Sequence, residues 1–150
     1  MPVRRAQAGD DDEIAAVYIA ALGGMTYLPN VYTDEENRSF IRDVMLPNNE
    51  VWVAEEDGVI VGFTGFGDGR VRHLWIEPEH QNHGIGTTLL DVAKQGSPGG
   101  LDLWVFQRNA GARRFYERHG FELVELTEGE RNEEHEPDAR YVWDGKTGGC

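Results

Sequence analysis

Apolar positions in this chain recur with two periods, and the changes of period mark out its elements. Val3 to Ala6 predicts a short strand. Gly9-Asp10-Asp11-Asp12-Glu13 then gathers acids where the positive end of a helix dipole favours them, and Ile14, Val17, Tyr18 and Ala21 follow at helical spacing until Gly23-Gly24. The aromatic stretch from Met25 to Tyr32 has neither period. It reads as a loop that could lie over an acceptor or pack Tyr27, Leu28 and Tyr32 onto the core. Thr33-Asp34-Glu35-Glu36 is a second capped start, feeding Phe40, Ile41, Val44 and Met45 until Pro47 stops the helix.

The middle of the chain is rich in strands. Val51 to Ala54 and Val59 to Phe63 are β-type runs joined through Asp57-Gly58, a hairpin signal. Gly65 to Gly69 marks another turn, and Val71 to Ile76 is a third consecutive strand. A helix is expected from Gly84 to Lys94, ended by Gln95-Gly96-Ser97-Pro98-Gly99-Gly100. Leu101 to Phe106 reads as a strand, and Asn109 caps a helix that finishes at Gly120. Phe121 to Thr127 and Ala139 to Trp143 close the chain as a hairpin around the acidic loop Glu128 to Asp138. The predicted order is β-α-α-β-β-β-α-β-α-β-β. It implies one α/β domain over residues 1–150, with a mixed, mostly antiparallel central sheet flanked by helices.

Charge and cysteine content narrow the functions open to such a domain. Lys plus Arg number 14 against 27 Asp plus Glu, a formal balance of −13. That argues against nucleic-acid backbones and mildly favours cationic partners. The lone cysteine, Cys150, makes neither a disulfide framework nor a metal cluster. No run approaches the roughly 18 apolar residues that span a bilayer, and Met1 to Gln7 lacks an apolar signal core. A cytoplasmic protein without membrane partners is expected.

The candidate chemistry gathers where the third consecutive strand meets the central helix. Leu74-Trp75-Ile76 runs into Pro78, then Gln81-Asn82-His83-Gly84-Ile85-Gly86-Thr87 opens the helix. A helix start with glycines beside it is a phosphate cradle, because its first N–H groups lack intrahelical partners and sit at the positive dipole end. The dinucleotide fingerprint is not met, since Leu89 stands where its third glycine would be, and the P-loop Gly-Lys-Ser/Thr is absent. His80 and His83 alone are too sparse for zinc, so no metal is expected.

Gln81-x-x-Gly84-x-Gly86 after such a strand resembles the acetyl-CoA pyrophosphate motif of the GCN5-related N-acetyltransferase (GNAT) superfamily. Asn109-x-x-Ala112-x-x-Phe115-Tyr116-x-x-x-Gly120-Phe121 is similar to that family's second motif. The resemblance extends to the order of elements over the whole chain. It implies acetyl transfer from acetyl-CoA to a primary amine by direct attack. Cofactor contacts would come from Leu74, Trp75 and Ile76 through their backbones, from Gln81, Asn82, His83, Gly84, Ile85, Gly86 and Thr87 around the pyrophosphate, and from Asn109 at the pantetheine. It also implies that the strand before the phosphate turn splays from its neighbour. Asn82-His83 departs from the Arg or Lys of many relatives and lowers the positive charge of the cradle.

Acetyl transfer needs a neutral amine, a stabilised oxyanion and a proton for the departing thiolate. Tyr116 matches the family's general acid, and a phenol protonated at neutral pH is expected to pass its proton usefully to a thiolate. Strict alternation puts Arg70, Arg72, Leu74 and Ile76 on one face of their strand and Val71, His73, Trp75 and Glu77 on the other. His73 and Glu77 are the base candidates, with a water chain as the alternative. Arg70 and Arg72 could bind an acceptor carboxylate. Two further readings stay open, a longer acyl-CoA admitted by the slot around Trp75 and Trp104, and a non-catalytic acyl-CoA-binding module. The C-terminal hairpin leaves a homodimer open.

Overall fold

Two Asp-Gly turns set the register at the middle of the sheet. Asp57 and Gly58 have φ of 53° and 77°, and Asp68 and Gly69 have φ of 53° and 75°. Positive φ at both central residues is the twist that lets two strands continue side by side. The first turn joins β2 (Glu50–Glu56) to β3 (Val59–Gly67), and the second joins β3 to β4 (Arg70–Ile76). The expected turn at Gly65 to Gly69 is therefore shorter than its glycines suggest. Gly65 and Gly67 are strand residues, and only Asp68-Gly69 turns. The computed structural model describes residues 3–25, 32–81 and 84–145.

Around this meander the sheet has seven strands in the order β1-β2-β3-β4-β5-β7-β6, with β1 (Val3–Arg5), β5 (Leu101–Phe106), β6 (Glu122–Leu126) and β7 (Asp138–Trp143). Every neighbouring pair is antiparallel except β4 and β5. Helices α1 (Asp11–Gly23) and α2 (Asp34–Phe40) pack on one face, where Ile14, Val17 and Ile41 meet Val51, Val53 and Phe63. Helices α4 (Ile85–Gly96) and α5 (Ala110–Arg118) take the other face, where Leu90, Ala93 and Tyr116 meet Phe66, Leu103 and Tyr141. The predicted order of elements and the mixed, open sheet hold.

The second helix outlasts its proline. After α2 the chain runs through a π-helical turn (Ile41–Met45) into a last turn, α3 (Leu46–Asn48), which contains Pro47. The extra residue in the wider turn relieves the clash and the lost bond that a proline causes in regular α geometry. It also shifts the buried stripe, so Ile41 and Met45 are buried while Val44 is exposed. Asn48 and Asn49 then close the helix by donating side-chain amides to the carbonyls of Val44 and Met45, at 2.7 and 2.9 Å.

A bulge in β4 overturns the strict alternation expected there. Gly65 pairs with His73 and the next residue, Phe66, pairs with Val71, so Arg72 is the extra residue. Val71 consequently joins the α4 side, where it packs with Phe66 and Leu90, as do Leu74 and Ile76, while His73 and Trp75 face α1 and α2. Arg72 is turned out to Asn49 Oδ1 and Gly67 O, at 3.0 and 3.3 Å.

The parallel pair β4–β5 is joined by a single residue pair, Arg70 with Asp102. Asp102 N–H donates to Gly69 O at 2.8 Å. The Asp102 carboxylate receives Arg70 Nε and Nη2 at 2.9 and 3.2 Å and Arg140 Nε at 3.0 Å. Arg70 is thus bound within the sheet and is not a free clamp for an acceptor carboxylate. Burial pushes the Asp102 carboxyl up, and the two guanidinium hydrogen bonds outweigh it and hold it below the ordinary carboxylate value. A lowered native value means that this stabilisation is present above the unfolded carboxylate's range and is lost as pH falls through the folded one. Asp102→Asn is expected to cost about 1–2 kcal/mol at neutral pH, since both arginines keep access to water, and to flatten the acid limb of stability below about pH 4. Denaturant unfolding at a series of pH values checks both, and an unchanged acid limb would show that the carboxylate is not the clasp.

Candidate active site

Above its single pair with β5, β4 turns half of its backbone toward the gap. Glu77 N–H donates to Val61 O at 2.9 Å. That makes Gly62 and Ile76 a non-hydrogen-bonded pair of the β3–β4 ladder and Phe63 and Trp75 a hydrogen-bonded one. Leu74 and Ile76 therefore present their N–H and C=O groups to the β5 side, and Trp75 presents its own to β3. Leu74 and Ile76 keep their candidacy through the backbone. Trp75 does not, and its indole lies instead edge-on to Tyr18, with ring centroids 5.3 Å apart.

The gap leads to the start of α4, and that start differs from the other helix starts. Helix α2 has a full capping box between Thr33 and Glu36, and α5 is capped by Asn109 Oδ1, which accepts from Ala112 N–H at 3.1 Å. Helix α1 lacks a side-chain cap but carries Asp11, Asp12 and Glu13 in its first turn. Helix α4 has neither a side-chain cap nor an acid in its first turn. The N–H groups of Ile85, Gly86 and Thr87 and the positive dipole end are thus left for an anion. Gly84 at the N-cap has φ of 81° with open space where a Cβ would be. Gly86 also has a packing role. A Cβ there would come within 3.2 Å of Ile76 Cδ1 and of Phe115 Cζ, so this glycine seats the helix against β4 and α5. Gln81 is exposed and donates its side-chain amide to Ile76 O at 3.4 Å. Asn82, His83, Tyr27, Leu28 and Cys150 lie outside the described residues.

The acid-base candidates occupy two different faces. Tyr116 is buried on the α4 side, edge-on to Phe115 and Phe121 at 5.3 and 5.6 Å. Burial pushes its hydroxyl well above the ordinary phenol value. Complete proton transfer from such a phenol to a thiolate runs uphill, against the expected direction, and a hydrogen bond to the developing thiolate is what this group can give. His73 sits on the other face among Tyr18, Phe40 and Phe63. Its Nδ1 accepts the Trp75 indole N–H at 3.1 Å, which leaves Nε2 to carry the proton of the neutral ring. Burial, and then Arg72, hold it down to about 4, so His73 is a poor base for an ammonium group. Glu77 is within 3.3 Å of His80 Nδ1, while Glu56 lies 3.2 Å from His80 Nε2. No group of three or more His, Cys, Asp or Glu placed to hold a metal occurs among the described residues.

One feature of the His73 face was illegible in the periodicity. The loop between β6 and β7 reaches across to α1 and α2. Tyr32 OH donates to Glu133 Oε2, and the Tyr18 hydroxyl is pushed up to about 12 by burial and then by the charges of Glu134 and Glu133. The loop is itself tied down, with Gln107 Nε2 donating to Thr127 O and Asp138 O at 2.8 and 3.0 Å and Asn132 Nδ2 to Glu136 O at 2.7 Å. The result is an aromatic wall of Tyr18, Phe40 and Trp75 beside a loop that carries Glu133, held by Tyr32, and Glu134.

An acetyltransferase (GNAT) domain model matches residues 47–123, just over half of the chain. The chain belongs to the GNAT acetyltransferase family. Peptidyl-lysine N-acetyltransferase YiaC of Escherichia coli is 37% identical over 86 residues, covering 57% of this chain and 58% of that protein. The chain therefore aligns with a little under three fifths of that relative's length. The L-methionine sulfoximine/L-methionine sulfone acetyltransferase of Salmonella typhimurium is 29% identical over 139 residues, covering 83% of this chain and 81% of that protein. Among solved structures, yncA of Salmonella typhimurium with its cofactor acetyl-CoA has a TM-score of 0.74 at 20% identity, covering 100% of this chain and 96% of that one. The shared fold is thereby shown.

The His73 geometry makes a direct prediction. A histidine held at about 4 when folded and near 6.5 when unfolded adds stability that is complete above pH 6.5 and is lost as pH falls toward 4. In a proton NMR titration, the His73 ring resonances should stay at their neutral positions from pH 8 down to about pH 5. A midpoint near 6.5 would return His73 to the list of bases.

Proposed function

We propose that this chain transfers the acetyl group of acetyl-CoA to a primary amine. The observation that carries the reading is the uncapped start of α4 next to a gap in the sheet toward which Leu74 and Ile76 of β4 turn their backbone groups. The thioester supplies an activated acyl group. The N–H groups of Ile85, Gly86 and Thr87 hold the diphosphate, joined by Gln81, Asn82, His83 and Gly84 of the preceding turn. Leu74 and Ile76 pair with the pantetheine arm, and one of their N–H groups polarises the thioester carbonyl. Asn109 meets the arm from the start of α5, and Tyr116 hydrogen-bonds the sulfur as it gains charge. Water accepts the amine's proton, since His73 has both ring nitrogens engaged or protonated and Glu77 lies beside His80.

The acceptor enters on the His73 face, between Trp75 and the loop carrying Glu133 and Glu134. Two carboxylates beside aromatic faces favour an amine that carries positive charge, a lysine side chain in a basic peptide or a di- or polyamine. YiaC is named for peptidyl-lysine, which agrees with this class. The methionine sulfoximine enzyme is named for amino-acid acceptors, which carry their own carboxylate, and here Arg70 is already held by Asp102. The chain acts as one acetyltransferase domain of the cytoplasm. Its exposed Leu123, Val124 and Leu126 on β6 support a homodimer.

Calorimetry with acetyl-CoA followed by thiol release across a panel of amines tests the reading. Binding of about micromolar strength and turnover on cationic amines are expected. Binding without turnover on any amine would leave a non-catalytic module. Tyr116→Phe should hold acetyl-CoA affinity within a few-fold and lower turnover by roughly 10²-fold, as expected for losing one hydrogen-bond donor to the charge that develops in the transition state. The Glu133→Gln, Glu134→Gln double variant should raise KM for a diamine about three- to tenfold and leave KM for acetyl-CoA unchanged. An unchanged diamine KM would remove the loop from the acceptor site.

A further inference from the structure

His119, at the end of α5, reaches back to the first turn of α4. Its Nδ1 lies 2.7 Å from Phe115 O, and its Nε2 lies 3.1 Å from Thr87 Oγ1. A carbonyl can only accept, so Nδ1 carries a proton whenever the ring is neutral, and Nε2 is then an acceptor. Thr87 must donate its one hydroxyl hydrogen to Nε2. That hydrogen is unavailable to an anion at the helix start, and the hydroxyl oxygen lone pairs would repel one. When the ring is protonated, Nε2 becomes a donor to Oγ1 and the Thr87 hydrogen is released.

We propose that His119 is a positioning residue for the diphosphate of acetyl-CoA, acting through Thr87: the imidazolium turns the threonine hydroxyl from an acceptor-facing oxygen into a donor aimed at phosphate. This rests on the reading that the start of α4 holds the diphosphate. His119 is rigidly set for the task. Its ring packs on Phe115 at a centroid distance of 4.4 Å, and its carbonyl accepts Lys94 Nζ at 2.6 Å. Lys94 is the charged group in contact with it, while Asp91 stands one helical turn beyond Thr87 along α4 and Arg118 precedes His119 on α5. Glu117 is turned away to accept the Tyr141 hydroxyl at 2.7 Å. The first turn of α4 contains no Lys or Arg, so an imidazolium one hydrogen bond away would supply a positive charge that the turn itself lacks.

Phosphate binding then favours the protonated ring, so affinity falls as pH rises. Calorimetry with 3′-dephospho-acetyl-CoA tests this, because the probe keeps the diphosphate and lacks the phosphomonoester, whose own proton would confuse the pH dependence. Wild type, His119→Gln, Thr87→Val and Thr87→Ser are compared from about pH 5.5 to 8. Wild type should weaken about tenfold more than His119→Gln across the series, as expected for the loss of one hydrogen bond to a charged group. Thr87→Ser, which keeps the hydroxyl, should follow wild type, and Thr87→Val should follow His119→Gln. Parallel curves for wild type and His119→Gln, or a wild-type pH response in Thr87→Val, would overturn the proposal while leaving the phosphate site standing. Failure of wild type to bind the probe at any pH would overturn both.

Discussion

The β4–β5 junction is the constraint on which the rest of this molecule depends. A parallel pair normally continues its ladder, and here it stops after Arg70 and Asp102. What holds the two halves of the sheet at that point is a carboxylate between two guanidinium groups, each partly in water. Such an arrangement is well suited to a hinge of fixed position. The charges cannot slide along the strands, as an apolar contact could, and leaving Asp102 without both partners would strand a buried carboxylate. Beyond the clasp, Leu74 and Ile76 carry backbone groups toward the gap; Gln81 reaches one of them, Ile76 O, and the others are left for water or a ligand.

The same junction decides where an anion can sit. The chain is acidic by a net 13 charges, so its average field repels phosphate, and binding must rest on a local feature. The start of α4 offers such a feature, because it lacks the cap of α2 and α5 and the acids of α1. Gly86 makes the local arrangement tight by letting Ile76 and Phe115 close on the helix from two sides. A packing glycine and a turn glycine thus stand two positions apart in this motif, and only Gly84 is the conformational one.

Most of the architecture was legible because strand and helix periods are local properties, and Asp57-Gly58, Asn109 and Thr33 announce their roles in the residues themselves. The failures came where a feature depends on a partner strand or helix. The β4 bulge at Arg72 exists only relative to Gly65 and Phe66, so alternation alone placed Val71 on the wrong face. Pro47 reads as a stop until the π turn before it is known. Gly86 looks like Gly84 until Phe115 is folded against it. The two motifs marked the start of α4 and α5 as the candidate cofactor side. The face on which Tyr18 stands near the loop of Glu133 and Glu134 joins segments more than a hundred residues apart and carries no motif.

Placing the acceptor on the His73 face, as proposed, also poses a chemical conflict, and resolving it narrows the proposed substrate. Carboxylates near an ammonium group raise its affinity and also raise its pKa, while attack on a thioester requires the free amine. Glu133 and Glu134 would therefore slow the reaction if they paired with the nitrogen that attacks. His73 does not offset this, since its Nδ1 is engaged by Trp75 and it is held at about 4. The conflict disappears when recognition and reaction fall on different nitrogens. One cation of the acceptor then pairs with the loop, and its charge lowers the pKa of the second, uncharging the nitrogen that lies against the aromatic wall. An acceptor with two amino groups, or a lysine with a basic neighbour in the same peptide, meets that requirement, whereas a monoamine does not.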